Sequence, residues 1–291
     1  MQLLDETEAL RKKYFRPFLI GLILLGVFLC GLIISFITLV QTGQIAFLGL
    51  VFPLFFLMIG AILLTTISSN KYKNLAKQRF LPAFLKTFYQ DVLYEKKGNS
   101  GFINELIRTD ALRRPDRTNE DDYVHAKTMS GIEFEGMDVD FMTKSTDSEG
   151  HTTYTTYFAG KAIKYYLQNE ITRDFSLLIS ERYINSIRGL KKIETESTAF
   201  TKKFKIISDD QLATFKFLTP LMMERIEALE KKYKGQMILM LKNGYLYIFV
   251  GDTTHSFEFR ITKELTGPYL ETIKQQCTIF SNIIDQLGYI K

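Results

Sequence analysis

Tryptophan is absent from the chain, cysteine occurs twice and histidine three times. Cys30 lies inside a long apolar run and Cys277 near the carboxyl end, so the two cannot pair, and neither a disulfide framework nor a zinc ribbon can form. His125, His151 and His255 are scattered, and neither HExxH nor CxxC occurs. GxGxxG and GxSxG are also missing, and "AGKA" at residues 159–162 lacks the upstream glycine and downstream Ser/Thr of a phosphate loop. Nucleotide binding and hydrolase chemistry therefore have no positive support, and the expectation is a protein without cofactor or catalytic centre. Excess charge is scarce as well. The net +5 from 37 basic and 32 acidic residues is too little to argue for a nucleic-acid partner.

What the chain does have is two long uncharged runs. Residues 18–40 read "FLIGLILLGVFLCGLIISFITLV" and residues 45–67 read "IAFLGLVFPLFFLMIGAILLTTI". Each exceeds the roughly 20 apolar residues that cross a bilayer core, and soluble core helices rarely stay apolar on every face for so long. The first run is also longer than the apolar stretch of a signal peptide, so a retained anchor is expected. Only "QTGQ" separates the runs, which requires an antiparallel hairpin turning at Gly43. Arg11, Lys12, Lys13 and Arg16 precede the first run, Lys71, Lys73, Lys77 and Arg79 follow the second, and the connection has no cation. That asymmetry predicts a cell-membrane protein with two spans and both termini in the cytoplasm. The second basic group can lie against anionic headgroups or simply follow the topology rule. Gly21, Gly26 and Gly31 recur every five residues and so form no small-xxx-small stripe.

The expected organisation is a short amphipathic segment (1–16), the hairpin (17–68), a helical linker bent at Pro82 (69–121) and a cytoplasmic domain (122–291). In the last of these the period changes to that of strands. "DYVHAKTM" is followed by "GIEFEGMDVDFM", whose apolar residues change face around Gly136, which suggests a bulge or a turn there. "TTYTTYFAGKAIKYYL", "FSLLIS" and "HSFEFRI" read as further strands, and Asn243-Gly244 between "QMILMLK" and "YLYIFVGD" predicts a type I′ hairpin. Helices are expected within 211–233 and 268–287. The fold class is α+β, with a mostly antiparallel sheet and packed helices.

"KKFKIISDDQLATFKFLTPLMMERI", residues 202–226, compresses several signals. Phe204, Ile206 and Ile207 make a strand, while Ser208, Asp209 and Asp210 supply helix amino-terminal caps. Thr219-Pro220 starts a second helix whose Met222, Ile226, Leu229 and Tyr233 share one face, with Glu227–Lys231 and Glu230–Lys234 as outward pairs. Together with Asp122-Tyr123-Val124 and Lys127, Phe158 and Gly160, Phe200 and Phe204, Asp210-Gln211 with Ala213, and Leu218-Thr219-Pro220 with Met223 and Glu224, the chain resembles an uncharacterised family of bacterial membrane proteins, defined as a domain of unknown function. The resemblance covers residues 10–291 in outline. It implies paired amino-terminal spans and a cytoplasmic domain, and it implies no reaction. Lys161 and Lys164 depart from the family's apolar run, as do Ile206 and Ile226 from its Val and Leu.

Asp122, His125, Lys127 and Asp210 are the candidate ligand or partner residues: Asp121 and Asp122 with His125 offer cation donors if the strand curls, and Asp209 with Asp210 offers a carboxylate pair. Each has a simpler reading as loop end, strand residue or helix cap. The leading expectation is a membrane-tethered, non-catalytic domain that binds a protein partner or an envelope component. The alternative is an enzyme or ligand sensor with a pocket between the sheet and the 219–233 helix. A deep pocket gathering Asp210, His125 and Lys127 would favour the alternative, and an exposed apolar patch the former.

Overall fold

The computed structural model describes residues 2–42, 48–167, 175–181, 187–233, 236–252 and 256–288. The chain divides into two compact units, Met1–Ala83 with Glu258–Ile273, and Phe84–Phe257 with Lys274–Lys291.

The first unit is built on α1 (Gln2–Thr42) and α2 (Leu48–Leu75), both long and apolar enough to cross a membrane, with only 11% of the most apolar window of each buried. They run antiparallel, since Gly21 lies against Ala61 and Thr65 while Gly31 faces Leu54. A Cβ at Gly21 would come within 2.8 Å of the Thr65 methyl, so this glycine sets the close approach within the hairpin. Gly43 and the rest of the predicted turn lie outside the described residues.

Two expectations are corrected here. Residues 2–16 are not a separate segment, because α1 continues unbroken through Pro17. Nor does the helix after the second run break at Pro82. A π-helical stretch, Ala76–Phe80, leads directly into α3 (Leu81–Leu85). Proline clashes with the carbonyl four residues earlier, here Gln78, and a widened turn at that point accommodates the ring without ending the helix.

"HSFEFRI" is not a strand. His255 lies outside the described residues, and residues 256–261 form turns and irregular backbone in which Phe257 takes φ 55°. The alternation that suggests a strand instead sinks Phe257, Phe259 and Ile261. Within the first unit Phe259 packs edge-on against Phe80 at 5.6 Å, and the Arg11 guanidinium donates to the Ile261 carbonyl at 3.1 Å.

The second unit holds a nine-stranded sheet in which every pairing is antiparallel: β1 (Tyr89–Lys97), β2 (Arg117–Thr128), β3 (Glu133–Thr146), β4 (Thr152–Tyr166), β5 (Leu177–Ser180), β6 (Lys191–Lys192), β7 (Lys205–Ser208), β8 (Met237–Lys242) and β9 (Tyr245–Gly251). Their spatial order is β1-β2-β3-β4-β9-β8-β5-β7-β6. Asn243 and Gly244 both take positive φ, 53° and 80°, as the predicted type I′ hairpin requires. Because β1 pairs with β2 and β2 already starts at Arg117, the folded unit begins well before the expected boundary at 122.

Helices cover both faces. α4 (Ser100–Arg108), capped by the Asn99 side chain, lays Phe102, Ile103 and Leu106 into a core with Met137, Val139, Phe141, Ala162 and Phe249. On the opposite face α9 (Ile279–Leu287), which follows α8 (Gly267–Cys277), stacks Phe280 on Phe134 at 5.0 Å. This two-sided burial explains the change of face at Gly136. β3 runs straight through that residue, and Phe134 and Met137 simply serve different cores. Glycine is needed there because a Cβ would strike the Phe280 ring. The remaining helices are α5 (Thr198–Lys203), α6 (Gln211–Phe217) and α7 (Pro220–Tyr233).

Candidate functional site

The β4 run "AGKAIKYY" places Lys161 and Lys164 three residues apart on a strand, hence on opposite faces. On the α4 face the Lys164 ammonium lies 2.8 Å from Glu105 and 3.7 Å from Glu135, above the rings of Tyr166 and Tyr245 at 4.5 and 4.4 Å. Tyr247 donates to Glu105 at 2.6 Å, Tyr123 donates to Glu135 at 2.8 Å, and Tyr166 donates to Glu135 as well. Burial, reinforced by these carboxylate acceptors, pushes the hydroxyls of Tyr123, Tyr166 and Tyr247 well above the usual phenol range.

On the other face Lys161 lies 3.4 Å from Asp138 and 3.5 Å from Asp252. Asp138 also accepts the Ser256 hydroxyl at 2.8 Å and the Ser256 backbone N–H. Both ammoniums, their four carboxylates and the hydroxyls of Tyr123, Tyr166 and Tyr247 are engaged with one another. They act as polar locks that tie α4, Asp252 and Ser256 to the sheet. The sequence signal for them is a pair of lysines within the buried half of β4, "FAGKAIKYY". The partners Glu105 and Asp138 carry no such signal.

The residues singled out from sequence are dispersed. Asp122 sits in a bulge of β2 with φ 55°, is buried, and accepts the Tyr94 hydroxyl at 2.5 Å. Burial first, then the Asp122 charge, drives the Tyr94 hydroxyl upward. His125 meets Glu133 at 2.8 Å, and exposed Lys127 meets Asp91 at 2.9 Å. Asp210 is far along the sheet, beyond five intervening strands and so on the order of 25–30 Å from β2. There it caps α6, accepting the Ala213 N–H at 2.9 Å, while Asp209 accepts the Ser176 N–H at 2.8 Å. The structure thus does not gather Asp210 with His125 and Lys127. Among the described residues, no group of three or more His, Cys, Asp or Glu side chains is arranged to hold a metal ion.

Of the four cations after the second apolar run, Lys71 and Arg79 are exposed, Lys73 pairs with Glu258 at 2.8 Å, and Lys77 is buried.

A different feature stands out at the α6–α7 junction. Outside α1 and α2, the large exposed apolar side chains among the described residues are Leu93, Met129, Tyr154, Leu212, Phe215 and Leu221. Three of these six fall within ten residues, and Leu212 and Leu221 are 65% and 55% exposed. Leu212 and Phe215 share one side of α6, whose opposite side buries Thr214 and Phe217. The Met222, Ile226, Leu229 and Tyr233 stripe of α7 turns inward as predicted, with Ile226 and Leu229 fully buried. Glu230 pairs with Lys203, and its predicted partner Lys234 lies outside the described residues.

The chain therefore joins two long apolar helices to an α+β domain whose antiparallel sheet is helix-covered on both faces. Residues 156–288, from within β4 to the residue after α9, match the family described as "Protein of unknown function (DUF3137)". The 122–127 motif lies outside that match, whereas the motifs from Phe158 to Glu224 lie within it. No curated protein and no solved structure matches the chain.

Proposed function

We propose that the chain is a membrane-anchored, non-catalytic interaction module, held in the bilayer by α1 and α2 and binding a protein partner through Leu212, Phe215 and Leu221. The observation that carries this reading is the concentration of exposed apolar side chains at the α6–α7 junction. A concentration of exposed apolar side chains flanked by charge supports a docking site. The rim favours protein over lipid. Lys216 and Glu224 stand exposed beside the patch with Asp209 and Asp210 close in sequence, and these acids would be repelled by an anionic membrane. The partner is accordingly an apolar protein surface with a mixed-charge edge. The charge asymmetry around the two apolar helices supports a cytoplasmic location for this domain.

The test is site-specific photo-crosslinking in native membranes, with the probe at Phe215 or at Met129. A discrete adduct from Phe215, absent from Met129 and lost with Leu212→Glu plus Leu221→Glu, is the expected outcome. Equal labelling from both sites rules the patch out as the docking surface.

A further inference from the structure

A cleft of about 150 Å³ opens where the ends of β5, β7 and β8 meet the 187–190 turn, lined by Ser176, Ile187, Arg188, Gly189, Leu190, Asp209, Met240 and Lys242. The fold brings these together by register. Ser176 directly precedes β5, Asp209 directly follows β7, Lys242 ends β8, and Leu177 pairs with both Ser208 and Leu241. The turn is closed by the Leu190 N–H on the Ile187 carbonyl at 3.1 Å, with Gly189 at φ +90°.

The polar groups are unevenly satisfied. Among the described residues the Arg188 guanidinium and the Ser176 hydroxyl have no hydrogen-bond partner, and the Lys242 ammonium donates only to the Arg108 carbonyl, at 3.3 Å. The one acid, Asp209, already accepts the Ser176 N–H and is thereby fixed in the wall. The lining carries two cations against one anion, with Ile187, Leu190 and Met240 as an apolar side.

We infer that this cleft binds a small monocarboxylate with a short aliphatic chain, its carboxylate on Arg188 and Lys242 and its chain against Ile187, Leu190 and Met240. The reasons are fit and charge. A guanidinium accepts a carboxylate through two parallel hydrogen bonds. The single excess positive charge matches one negative charge and not two. The volume is enough for a carboxylate and a few carbons. The site lies at the sheet end, not between the sheet and α7.

The experiment uses the full chain in non-ionic detergent with butyrate as the probe, read by saturation-transfer NMR and competition. Butyrate binding should saturate, weaken on the order of tenfold in Arg188→Gln and in Lys242→Met, and persist in Lys216→Gln, whose cation lies outside the cleft. Acetate should bind more weakly than butyrate, and inorganic phosphate should not displace it at equal concentration. Arg188 is exposed and has no hydrogen bond or ion pair among the described residues, so R188Q should melt with the wild type and report binding alone. Non-saturable binding, equal binding by R188Q, or displacement by phosphate overturns the assignment.

Discussion

Lys161 and Lys164 lie three residues apart on β4, and each ammonium is buried between two carboxylates on its own face of the sheet, Asp138 and Asp252 for one, Glu105 and Glu135 for the other. Removing one member of a buried pair leaves a desolvated charge, which typically costs about 3–5 kcal/mol. Lys161→Met and Lys164→Met should each destabilise the second unit by that order, measured by urea unfolding of the full chain in non-ionic detergent. The two lysines lie on opposite faces and share none of these four carboxylates, so the double variant should be additive within about 0.5 kcal/mol. A cost below about 1 kcal/mol for either would mean that the neighbouring hydroxyl donors alone hold the acids.

The tyrosines make the fold sensitive to alkali. Burial raises Tyr89, Tyr94, Tyr123, Tyr165, Tyr166 and Tyr247 above the ordinary value of 10.0, and brings Tyr157 and Tyr233 up to about 12. A group whose folded pKa is raised stays protonated in the folded chain while the unfolded chain ionises. Its stabilising effect is complete below pH 10 and declines as pH climbs through the folded value. The denaturation midpoint should therefore fall steadily above about pH 10. Beyond the share from exposed tyrosines such as Tyr154, tyrosinate absorbance should rise together with loss of structure, and complete ionisation before unfolding would show the buried phenols to be accessible.

How much of this was readable from sequence depends on whether a feature is local. The type I′ hairpin at Asn243-Gly244, the Asp210 cap and the inward stripe of α7 are each fixed by neighbours within a few residues, and each is found. Features that depend on what covers a strand were misread or missed. The face change at Gly136 looks like a bulge only if one side of the sheet is wet, and both are covered. Glu105 lies 59 residues from Lys164 and Asp252 lies 91 from Lys161, distances over which no periodicity carries information. The exposure of Leu212 and Phe215 was hidden for the converse reason, since apolar residues in a short helix read as core until the helix is placed.

Two glycines of β3 and β4 should differ in tolerance. A Cβ at Gly136 would meet the edge of the Phe280 ring, a side chain that can shift with α9. At Gly160 it would meet the Val250 carbonyl and the Gly251 backbone, which the β4–β9 ladder holds in place. Gly160→Ala should be the more destabilising, by more than about 2 kcal/mol where overpacking in a core typically costs 1–3. Chemical denaturation of the two variants side by side decides it, and the reverse order would show that the ladder end yields more easily than the aromatic stack.

The proposed topology makes a labelling prediction. With Cys30 and Cys277 replaced by Ser, a Gln41→Cys variant should react with a membrane-impermeant maleimide in intact cells, whereas Lys71→Cys should react only after lysis. Reaction at position 71 from outside would invert the orientation and move the α6–α7 surface away from any cytoplasmic partner.

Asp210 separates a folding role from a binding one. Its carboxylate caps α6 by accepting the Ala213 N–H, and its backbone carbonyl accepts both the Thr214 N–H and the Thr214 hydroxyl. Asparagine caps as well as aspartate, while alanine at this position typically costs about 1 kcal/mol. Asp210→Ala should therefore lower stability by about that amount, and Asp210→Asn by no more than a few tenths. The same pair then reports on the docking surface: if the residue only caps, Asp210→Asn crosslinks through position 215 as efficiently as the wild type. If crosslinking falls in Asp210→Asn while the melting curve is unchanged, the charge itself meets the partner, and the acidic rim becomes part of the recognised surface.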